Sequence, residues 1–180
     1  DEATVEQVRR RYLLPEEFVL FVGTLEPRKN LRRLVDAVRR DEVTLPLVVA
    51  GAAGWGELDL DGTDDVTFLG FVPDGDLAAL YAAATVFAYP SEREGFGLPV
   101  AEAMAQGTPV VTSAGTSTEE VAGGAAALVD PFDVVSIARG IAEAVERRDE
   151  LAVAGRRRAA ELEWAAAAER TLAAYRELAP

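Results

Sequence analysis

The feature that most constrains the fold is an alternation of short, wholly apolar runs with longer stretches of helical periodicity. The runs are rich in β-branched residues and are bounded by glycine, proline or polar residues, as buried strands are. Strands that are apolar throughout belong in a sheet covered on both faces. Alternation with helices favours parallel strands, so we predict an α/β fold with a doubly wound parallel sheet. Six strands are expected, at 18–23, 45–51, 66–70, 85–91, 108–113 and 125–131.

Helices are predicted between and after these strands. One begins at Asn30, where leucines and valines follow at helical spacing. Asp74 or Asp76 can cap a second helix and Asp133 a later one, because carboxylates accept hydrogen bonds from the free amides of a first turn. Pro99 suits the first position of a helix, where no N–H is needed. Two further helical stretches, 149–162 and 164–178, close the chain.

Composition excludes several kinds of chemistry. The 180 residues, 49% apolar and 27% charged, suit one globular domain with a sizeable core. The chain has no cysteine and no histidine, so thiolate nucleophiles, disulfides and imidazole bases are excluded. A net charge of −13 argues against general binding of nucleic acids or anionic membranes. No run approaches the ~20 apolar residues of a membrane span.

Three predicted loops leave strand ends with unusual residues. They read GTLEPRKN at 23–30, GFVPDGD at 70–76 and SEREGFGLP at 91–99. Ligands of open parallel sheets bind beyond the carboxyl ends of the strands, so these loops form the candidate site. In the third loop, Glu94 and Glu102 bracket a glycine turn that opens a helix.

The glycine turn favours an anionic ligand with sugars on both sides. Gly95 and Gly97 let the backbone approach a ligand, and amides near Leu98 would point from the helix N-terminus at a phosphate. Carboxylates beside a phosphate are repelled unless they face hydroxyl donors, such as those of sugars. A nucleoside diphosphate sugar satisfies this set. Glu102, expected in the first helical turn, would hold the ribose, and Glu94 the transferred sugar.

The first loop agrees with an anionic ligand. Arg28 and Lys29 lie just before or at the start of a helix, where cations oppose the helix dipole by up to ~1 kcal/mol. A charge-assisted contact to phosphate is worth about 1.5–3 kcal/mol and reverses that penalty. Each feature alone has a simpler interpretation, because the charged residues could be solvated surface groups and the glycines simple turn formers. Their combination at three strand ends favours the ligand site.

Other motifs are interpreted as structural. The acidic pair at 59–61 resembles a metal site, but no strand precedes it, so it is interpreted as a solvated turn. The glycines at 51–56 lack the spacing of a dinucleotide fingerprint. The arginines at 156–158 are interpreted as an exposed helix face.

These motifs resemble the donor-binding half of the retaining glycosyltransferases of family 4. The matching segments, in the right order over nearly the whole chain, are FVGTLEPRKNL, FLGFVPDGDLAALYAAA, YPSEREGFGLPVAEAMAQGTPVV and ALVDPFD. The two glutamates around an E-G-F-G-L-P core are a highly specific motif. The resemblance implies a Rossmann-like sheet of about six strands with helices on both faces, the C-terminal half of a GT-B fold. It implies one donor domain over 1–180, with 164–180 a terminal helix that crosses to an N-terminal acceptor domain.

The resemblance also implies roles for individual residues. Arg28 and Lys29 contact the diphosphate and steady the leaving group, and Glu94 contacts the donor sugar; these three are the implied catalytic residues. Glu102 binds the ribose, and the backbone near Val72 reads the base. The other implied donor-binding residues are Gly23, Thr24, Phe96, Gly97 and Leu98. No metal ion or other cofactor is expected, since positive side chains and helix dipoles neutralise the departing diphosphate.

The implied activity is transfer of a hexose, with retention, from a sugar nucleotide to a glycan or lipid-linked acceptor. The motif GTLEPRKN favours GDP-mannose as the sugar donor, with UDP-glucose as the second candidate. Expected partners are the sugar nucleotide and the N-terminal domain, through which a peripheral membrane contact is expected; nucleic acid is not a partner. A cytoplasmic location is expected. The segment TSAGTSTEE lacks the family's usual asparagine and Leu-Pro, so no contacts are implied for it.

Two alternatives remain beside this interpretation. One is a non-catalytic nucleotide-sugar-binding module, against which the intact charged set argues. The other is a relative with the same fold, such as a sugar-nucleotide epimerase or a glycan phosphorylase. An epimerase would use a histidine, which is absent, and a phosphorylase would need a lysine for pyridoxal phosphate, whereas the only lysine is Lys29 in the phosphate loop.

Overall fold

A computed structural model describes residues 2–52, 54 and 63–178 of the chain. Its strands are β1 (Val19–Val22), β2 (Leu47–Ala50), β3 (Thr67–Gly70), β4 (Val86–Tyr89), β5 (Val110–Ser113) and β6 (Ala127–Val129). They form one sheet in the order β3-β2-β1-β4-β5-β6, and every neighbouring pair is parallel. Each strand lies within a predicted run, so the six predicted strands and the doubly wound α/β fold are confirmed. The acidic pair at 59–61 and part of the 51–56 run lie outside the described residues.

Burial follows the apolar sequence of the strands. Every residue of β1, β2, β4 and β5 is buried, whereas the edge strand β3 is largely exposed. The expectation of a sheet covered on both faces is therefore met by its central strands and not by β3.

Helices precede β1 and follow β1, β3, β4, β5 and β6. Their bounds are α1 (Glu2–Tyr12), a short 3-10 helix (Pro27–Lys29), α2 (Leu31–Val38), α3 (Asp74–Ala83), α4 (Leu98–Gln106), α5 (Ser117–Ala122), α6 (Val134–Glu146), α7 (Arg148–Ala160) and α8 (Trp164–Leu178). Helix α2 packs against α6, while α1, α3, α4 and α7 pack in series. The strand order reverses direction between β1 and β4, and right-handed crossovers then place these two sets of helices on opposite faces.

Helix α1 was not expected from its charged sequence. It turns Val5, Val8 and Tyr12 toward the core and packs on α3. The hydroxyl of Tyr12 and Nη1 of Arg11 both donate to Oδ2 of Asp76, each at 2.7 Å. The prediction that an aspartate caps α3 is therefore wrong, because Asp76 is bound to α1 and the capping position is held by Pro73.

The structure corrects the predicted positions of Pro99 and Glu102 in α4. Gly97 adopts a left-handed conformation (φ 101°) as the N-cap, so Leu98 is the first helical residue and Pro99 the second. Glu102 consequently lies in the second turn rather than the first. The predicted cap of α6 is confirmed, since Oδ1 of Asp133 accepts a hydrogen bond of 2.8 Å from the amide of Val135.

The arginines of α7 are not simply an exposed face. Nε of Arg158 donates to the carbonyl of Val121 at 2.9 Å, and its Nη2 donates to that of Glu120 at 3.0 Å. These carbonyls belong to the last turns of α5, whose dipole favours a cation at that end. The exposed-face interpretation therefore holds for Arg157 and is wrong for the half-buried Arg158.

Helix α8 lies on the surface of the described chain. Nearly all its residues are exposed, including Trp164 at 81% and Tyr175 at 68%. No helix in the described ranges is long and apolar enough to cross a membrane.

Candidate functional site

The site lies at the carboxyl edge of the sheet, where β1 and β4 are neighbours. The loops that leave these two strands are joined at the carbonyl of Arg28, which accepts a hydrogen bond of 2.8 Å from the amide of Glu92. The strand order reverses at this point, which is where open α/β sheets bind ligands. The predicted loop at 70–76 follows β3, which β2 separates from β1.

Arg28 connects two carboxylates. Its Nη1 lies 2.6 Å from Oε2 of Glu94, and its Nε lies 2.8 Å from Oε2 of Glu26. The contact with Glu26 is an ion pair without the geometry of a hydrogen bond, and no described residue donates one to that oxygen. The hydroxyl of Thr24 donates to the other oxygen of Glu26 at 2.9 Å. The first loop thus contains, in Glu26, a negative charge that partly balances the positive charge of Arg28.

Lys29 is the buried cation of the site. Its side chain is 8% exposed, and Nζ lies 5.7 Å from the centre of the Tyr89 ring. Burial lowers the pKa of Lys29, although Glu94 opposes that shift. No described residue accepts a hydrogen bond from Nζ. Gly23 makes room for this amine, since a Cβ there would stand 2.7 Å from Nζ.

Glu94 is held on both of its oxygens. Oε1 accepts from the hydroxyl of Tyr89 at 2.7 Å and from Oγ of Ser91 at 2.9 Å, while Oε2 is paired with Arg28. Burial alone would raise the pKa of Glu94, but these three hydrogen bonds, with the charge of Lys29, outweigh it and lower that pKa. The carboxylate therefore stays ionised near neutral pH, as a hydroxyl acceptor must be.

Glu102 lies apart from this cluster, in a groove between α3 and α4. Its exposed carboxylate accepts at Oε2 a hydrogen bond of 2.9 Å from the hydroxyl of Tyr81. The groove has a volume of about 460 Å³, and Asp74 also lines it. Val72, two residues before Asp74, is buried, at 5% exposed.

The glycine loop leads into α4 with its side chains turned outward. Phe96 and Leu98 are each about half exposed, at 49% and 47%. A Cβ on Gly97 would stand 2.7 Å from Cγ2 of Thr118, so this close approach requires glycine as much as the positive φ does. Thr118 belongs to α5, so this helix packs against the glycine loop at Gly97.

The segment that departs from the family pattern supports this loop. Oγ of Ser117 donates to the carbonyl of Glu94 at 2.9 Å, and the side chain of Thr116 caps α5 by accepting from the amide of Thr118. Small hydroxyl side chains in this segment therefore hold the glycine loop through its backbone.

Sequence reasoning missed several residues of the site. The structure brings Gly23, Thr24, Arg28, Lys29 and Glu94 into one cluster, as predicted. It adds the buried residues Glu26, Asn30, Tyr81, Tyr89 and Ser91. A signal existed for Tyr89 and Ser91, because polar groups end an otherwise apolar strand. None existed for Glu26, which resembles any loop carboxylate.

A parallel sheet with this strand order defines a Rossmann-like α/β domain, and the paired cations and held carboxylate at its switch point form a candidate ligand site. The chain belongs to the family described as Glycosyl transferases group 1, whose model matches residues 5–161. It is 40% identical to O-antigen chain mannosyltransferase B of Escherichia coli, over 95% of this chain and 49% of that protein. It is 36% identical to a D-inositol 3-phosphate glycosyltransferase of Nocardioides sp., over 93% of this chain and 43% of that protein.

Solved structures of the GT-B type show the same fold. Sucrose-phosphate synthase from Thermosynechococcus elongatus superposes with a TM-score of 0.80 at 31% identity, over 96% of this chain and 48% of that one. HepE from Anabaena, solved in complex with UDP and glucose, superposes with a TM-score of 0.75 at 26% identity, over 89% of this chain and 47% of that one. The chain therefore spans less than half the length of each relative named here.

Proposed function

We propose that this chain is the donor-binding domain of a retaining hexosyltransferase that takes its sugar from a nucleoside diphosphate sugar. The observation that carries the proposal is the cluster of Arg28, Lys29 and Glu94 where β1 and β4 lie side by side. Two cations and an ionised carboxylate at a topological switch point suit an anionic diphosphate joined to a polyhydroxylated sugar.

Lys29 supports a diphosphate as the anion. Burial disfavours the charged form of Lys29 and lowers its pKa. A phosphate oxygen beside Nζ would supply both the acceptor and the opposite charge, which favours the charged amine. The amide of Leu98 at the start of α4 adds a donor at the positive end of a helix dipole.

The position of Arg28 supports a change in its pairing when the donor binds, from Glu94 to the diphosphate. Its guanidinium is paired with Oε2 of Glu94. A diphosphate would compete for the guanidinium, and the movement of Arg28 would free Oε2 for a hydroxyl of the transferred sugar. Oε1 would stay bound to Tyr89 and Ser91, so Glu94 would keep its orientation during the exchange.

The groove between α3 and α4 supports a place for the nucleoside. Glu102 is exposed there and is held through one oxygen only, which suits a ribose diol. The backbone near Val72 lies at the start of α3, on the same side, and would contact the base. Gly23, Thr24, Phe96 and Gly97 would line the path between the nucleoside and the sugar.

The likeness to named relatives supports the choice of donor. GDP-mannose is the first candidate because a relative at 40% identity is named a mannosyltransferase. UDP-glucose is the second, since the structure of HepE was solved with UDP-glucose. Arg28 and Lys29 with the helix amides would neutralise the departing diphosphate without a metal ion. The acceptor, a glycan or a lipid-linked sugar, would be held in the cytoplasm by a second, N-terminal domain.

Calorimetry in the presence of EDTA tests this function. We expect GDP-mannose or UDP-glucose to bind with a micromolar to millimolar Kd, about −8 to −4 kcal/mol. Glu102→Gln should weaken the free nucleoside diphosphate and the sugar nucleotide alike, by about 1.5–3 kcal/mol, because both carry the ribose. Glu94→Gln should mainly weaken the sugar nucleotide.

A matched control is Glu143→Gln, which makes the same charge change beside Arg147 near the end of α6. It should leave both affinities unchanged. If no common sugar nucleotide gave a binding heat at millimolar concentration, the proposed function would be refuted. Equal weakening of the free diphosphate by both site variants would reverse the assignment of the two glutamates.

A further inference from the structure

Each glutamate of the site is held by a buried tyrosine from a different element. The hydroxyl of Tyr89, the last residue of β4, donates to Oε1 of Glu94 at 2.7 Å. The hydroxyl of Tyr81, within α3, donates to Oε2 of Glu102 at 2.9 Å. Both tyrosines are only 1% exposed, so their hydroxyls reach the carboxylates from inside the core.

The two tyrosine rings belong to one row of packed aromatic side chains. The ring of Tyr81 meets Phe87 edge to face at 5.3 Å between centres, and Phe87 stacks on Tyr89 at 5.7 Å. Phe21 extends the row beyond Tyr89 at 5.8 Å. Close-packed rings of this kind keep a single position, so the hydroxyls at either end are fixed relative to one another.

Backbone hydrogen bonds fix the tyrosines further. Oγ1 of Thr108 donates to the carbonyl of Tyr81 at 2.7 Å, and Oγ1 of Thr112 donates to that of Tyr89 at 3.0 Å. Both threonines are buried near or within β5. The backbone of each tyrosine is therefore tied to β5 or to the residues just before it.

Core filling alone does not account for the hydroxyls. Two members of the same row, Phe21 and Phe87, are phenylalanines, so the row packs without polar atoms where no carboxylate is near. A buried hydroxyl is costly unless it is hydrogen-bonded. The row carries hydroxyls only where it reaches Glu94 and Glu102. Burial raises the pKa of both phenols, so both are protonated hydrogen-bond donors at neutral pH.

We propose that Tyr81 and Tyr89 are positioning residues that orient Glu102 and Glu94, respectively, for the two sugar units of one ligand. The identity of that ligand rests on the proposed function. Each tyrosine uses one carboxylate oxygen and leaves the other for the ligand or for an exchangeable partner. For Glu102, no described residue donates to Oε1. For Glu94, Oε2 is held by the partly exposed Arg28.

Preorganisation is the physical effect expected from this arrangement. A glutamate side chain that is already ordered does not lose that freedom when the ligand binds, and affinity rises accordingly. Removing one phenol hydroxyl should therefore weaken the ligand part that its glutamate contacts, by about three- to tenfold in Kd. The two tyrosines should act on different parts of the ligand.

The test compares Tyr81→Phe and Tyr89→Phe in the 180-residue chain by calorimetry. The ligands are GDP and GDP-mannose, or UDP and UDP-glucose if the wild-type chain prefers that pair. Tyr81→Phe should weaken the diphosphate and the sugar nucleotide equally, whereas Tyr89→Phe should weaken the sugar nucleotide more. Tyr175→Phe is the control, because Tyr175 is an exposed residue of the surface helix α8, and it should change neither Kd.

A second measurement needs no ligand. ¹³C relaxation of the glutamate side-chain methylenes should show Glu94 more mobile in Tyr89→Phe and Glu102 more mobile in Tyr81→Phe, with no effect on the other glutamate. Unchanged mobility in both variants would overturn the positioning role, even if the wild-type chain binds a sugar nucleotide. Selective mobility changes in a chain that binds no sugar nucleotide would instead retain the positioning role and reject the proposed function.

A double-mutant comparison separates positioning from a general loss of packing. If Tyr89 acts through Glu94, Tyr89→Phe should add no further loss of sugar-nucleotide affinity in a Glu94→Gln background. Additive losses, or equal losses of the diphosphate and the sugar nucleotide in Tyr89→Phe, would contradict the proposal.

Discussion

Arg28 is shared between Glu26 and Glu94, and this sharing limits how strongly it can bind a ligand. Its guanidinium lies within 2.8 Å of an oxygen of each carboxylate. The side chain is 37% exposed, so each pair is partly screened by water and is worth at most about 1 kcal/mol. A diphosphate must still displace part of this attraction before Arg28 can turn toward it.

Glu26→Gln should therefore tighten the binding of a nucleoside diphosphate. The substitution keeps an acceptor for Thr24 and removes a negative charge that opposes the ligand. We expect Kd to fall by about two- to fivefold, which is less than 1 kcal/mol. Titration calorimetry at two salt concentrations measures the change, and Glu143→Gln again controls for net charge. Weaker binding would show that Glu26 mainly holds Arg28 in place.

At the scale of elements, Asn30 ties three loops together. It adopts a left-handed conformation (φ 63°) between the short 3-10 helix and α2. Its Nδ2 donates to the carbonyl of Pro90 at 2.9 Å and to that of Pro131 at 2.6 Å. These prolines follow β4 and β6, so one buried amide joins the loop after β1 to both.

Two substitutions at Asn30 separate its backbone and side-chain contributions. Asn30→Gly loses the two buried hydrogen bonds, about 1–3 kcal/mol of the free energy of unfolding. Asn30→Ala loses the same bonds and adds about 1 kcal/mol, because an L side chain disfavours the left-handed conformation. Chemical denaturation measures both values. Equal stability of the two variants would contradict the assigned conformation.

The sequence predicts the elements better than the contacts between them. Apolar runs located all six strands, because a strand buried on both faces is a continuous run of apolar residues. Such a run can be recognised without knowing which strands lie beside it. The cap of α6 was predictable because Asp133 acts two residues away. Asp76 was assigned wrongly because its partners, Arg11 and Tyr12, are distant in sequence.

The site shows the same division between local and distant information. Arg28, Lys29 and Glu94 were predicted together because they follow two strands that a parallel sheet brings side by side. Glu26 and Asn30 were not, since their roles depend on a three-dimensional neighbour and on a left-handed backbone. Glu102 was predicted in the first turn because Pro99 was predicted as the first helical residue, whereas α4 begins at Leu98.

At the scale of the whole molecule, the proposed donor site lies on one domain. The cluster of Arg28, Lys29 and Glu94 lies at the carboxyl edge of a single sheet, and the groove of Glu102 lies between α3 and α4. Transfer also needs an acceptor held in near-attack geometry, which contributes several kcal/mol of barrier lowering. A ligand on one open wall stays hydrated, and its ionic contacts act in a high dielectric.

We therefore expect the chain to bind the donor, weakly and in a salt-sensitive way, without transferring its sugar. A radiolabelled transfer assay measures this against a chimera that joins the chain to the N-terminal half of the O-antigen chain mannosyltransferase B relative. Exposed side chains of α8, such as Trp164 and Tyr175, should become protected in the chimera if this helix crosses to the second domain. Robust transfer by the chain alone would contradict the expectation.

The parallel strand order also sets a sequence of events during synthesis. Val19 of β1 pairs with Leu47 of β2 on one side and with Val86 of β4 on the other. The ribosome delivers β2 soon after β1, but β4 emerges only after β3 and α3. Until then one side of the wholly apolar β1 is an open edge, on which other chains can add a strand. The partly synthesised chain therefore exposes an apolar strand edge that the complete sheet covers.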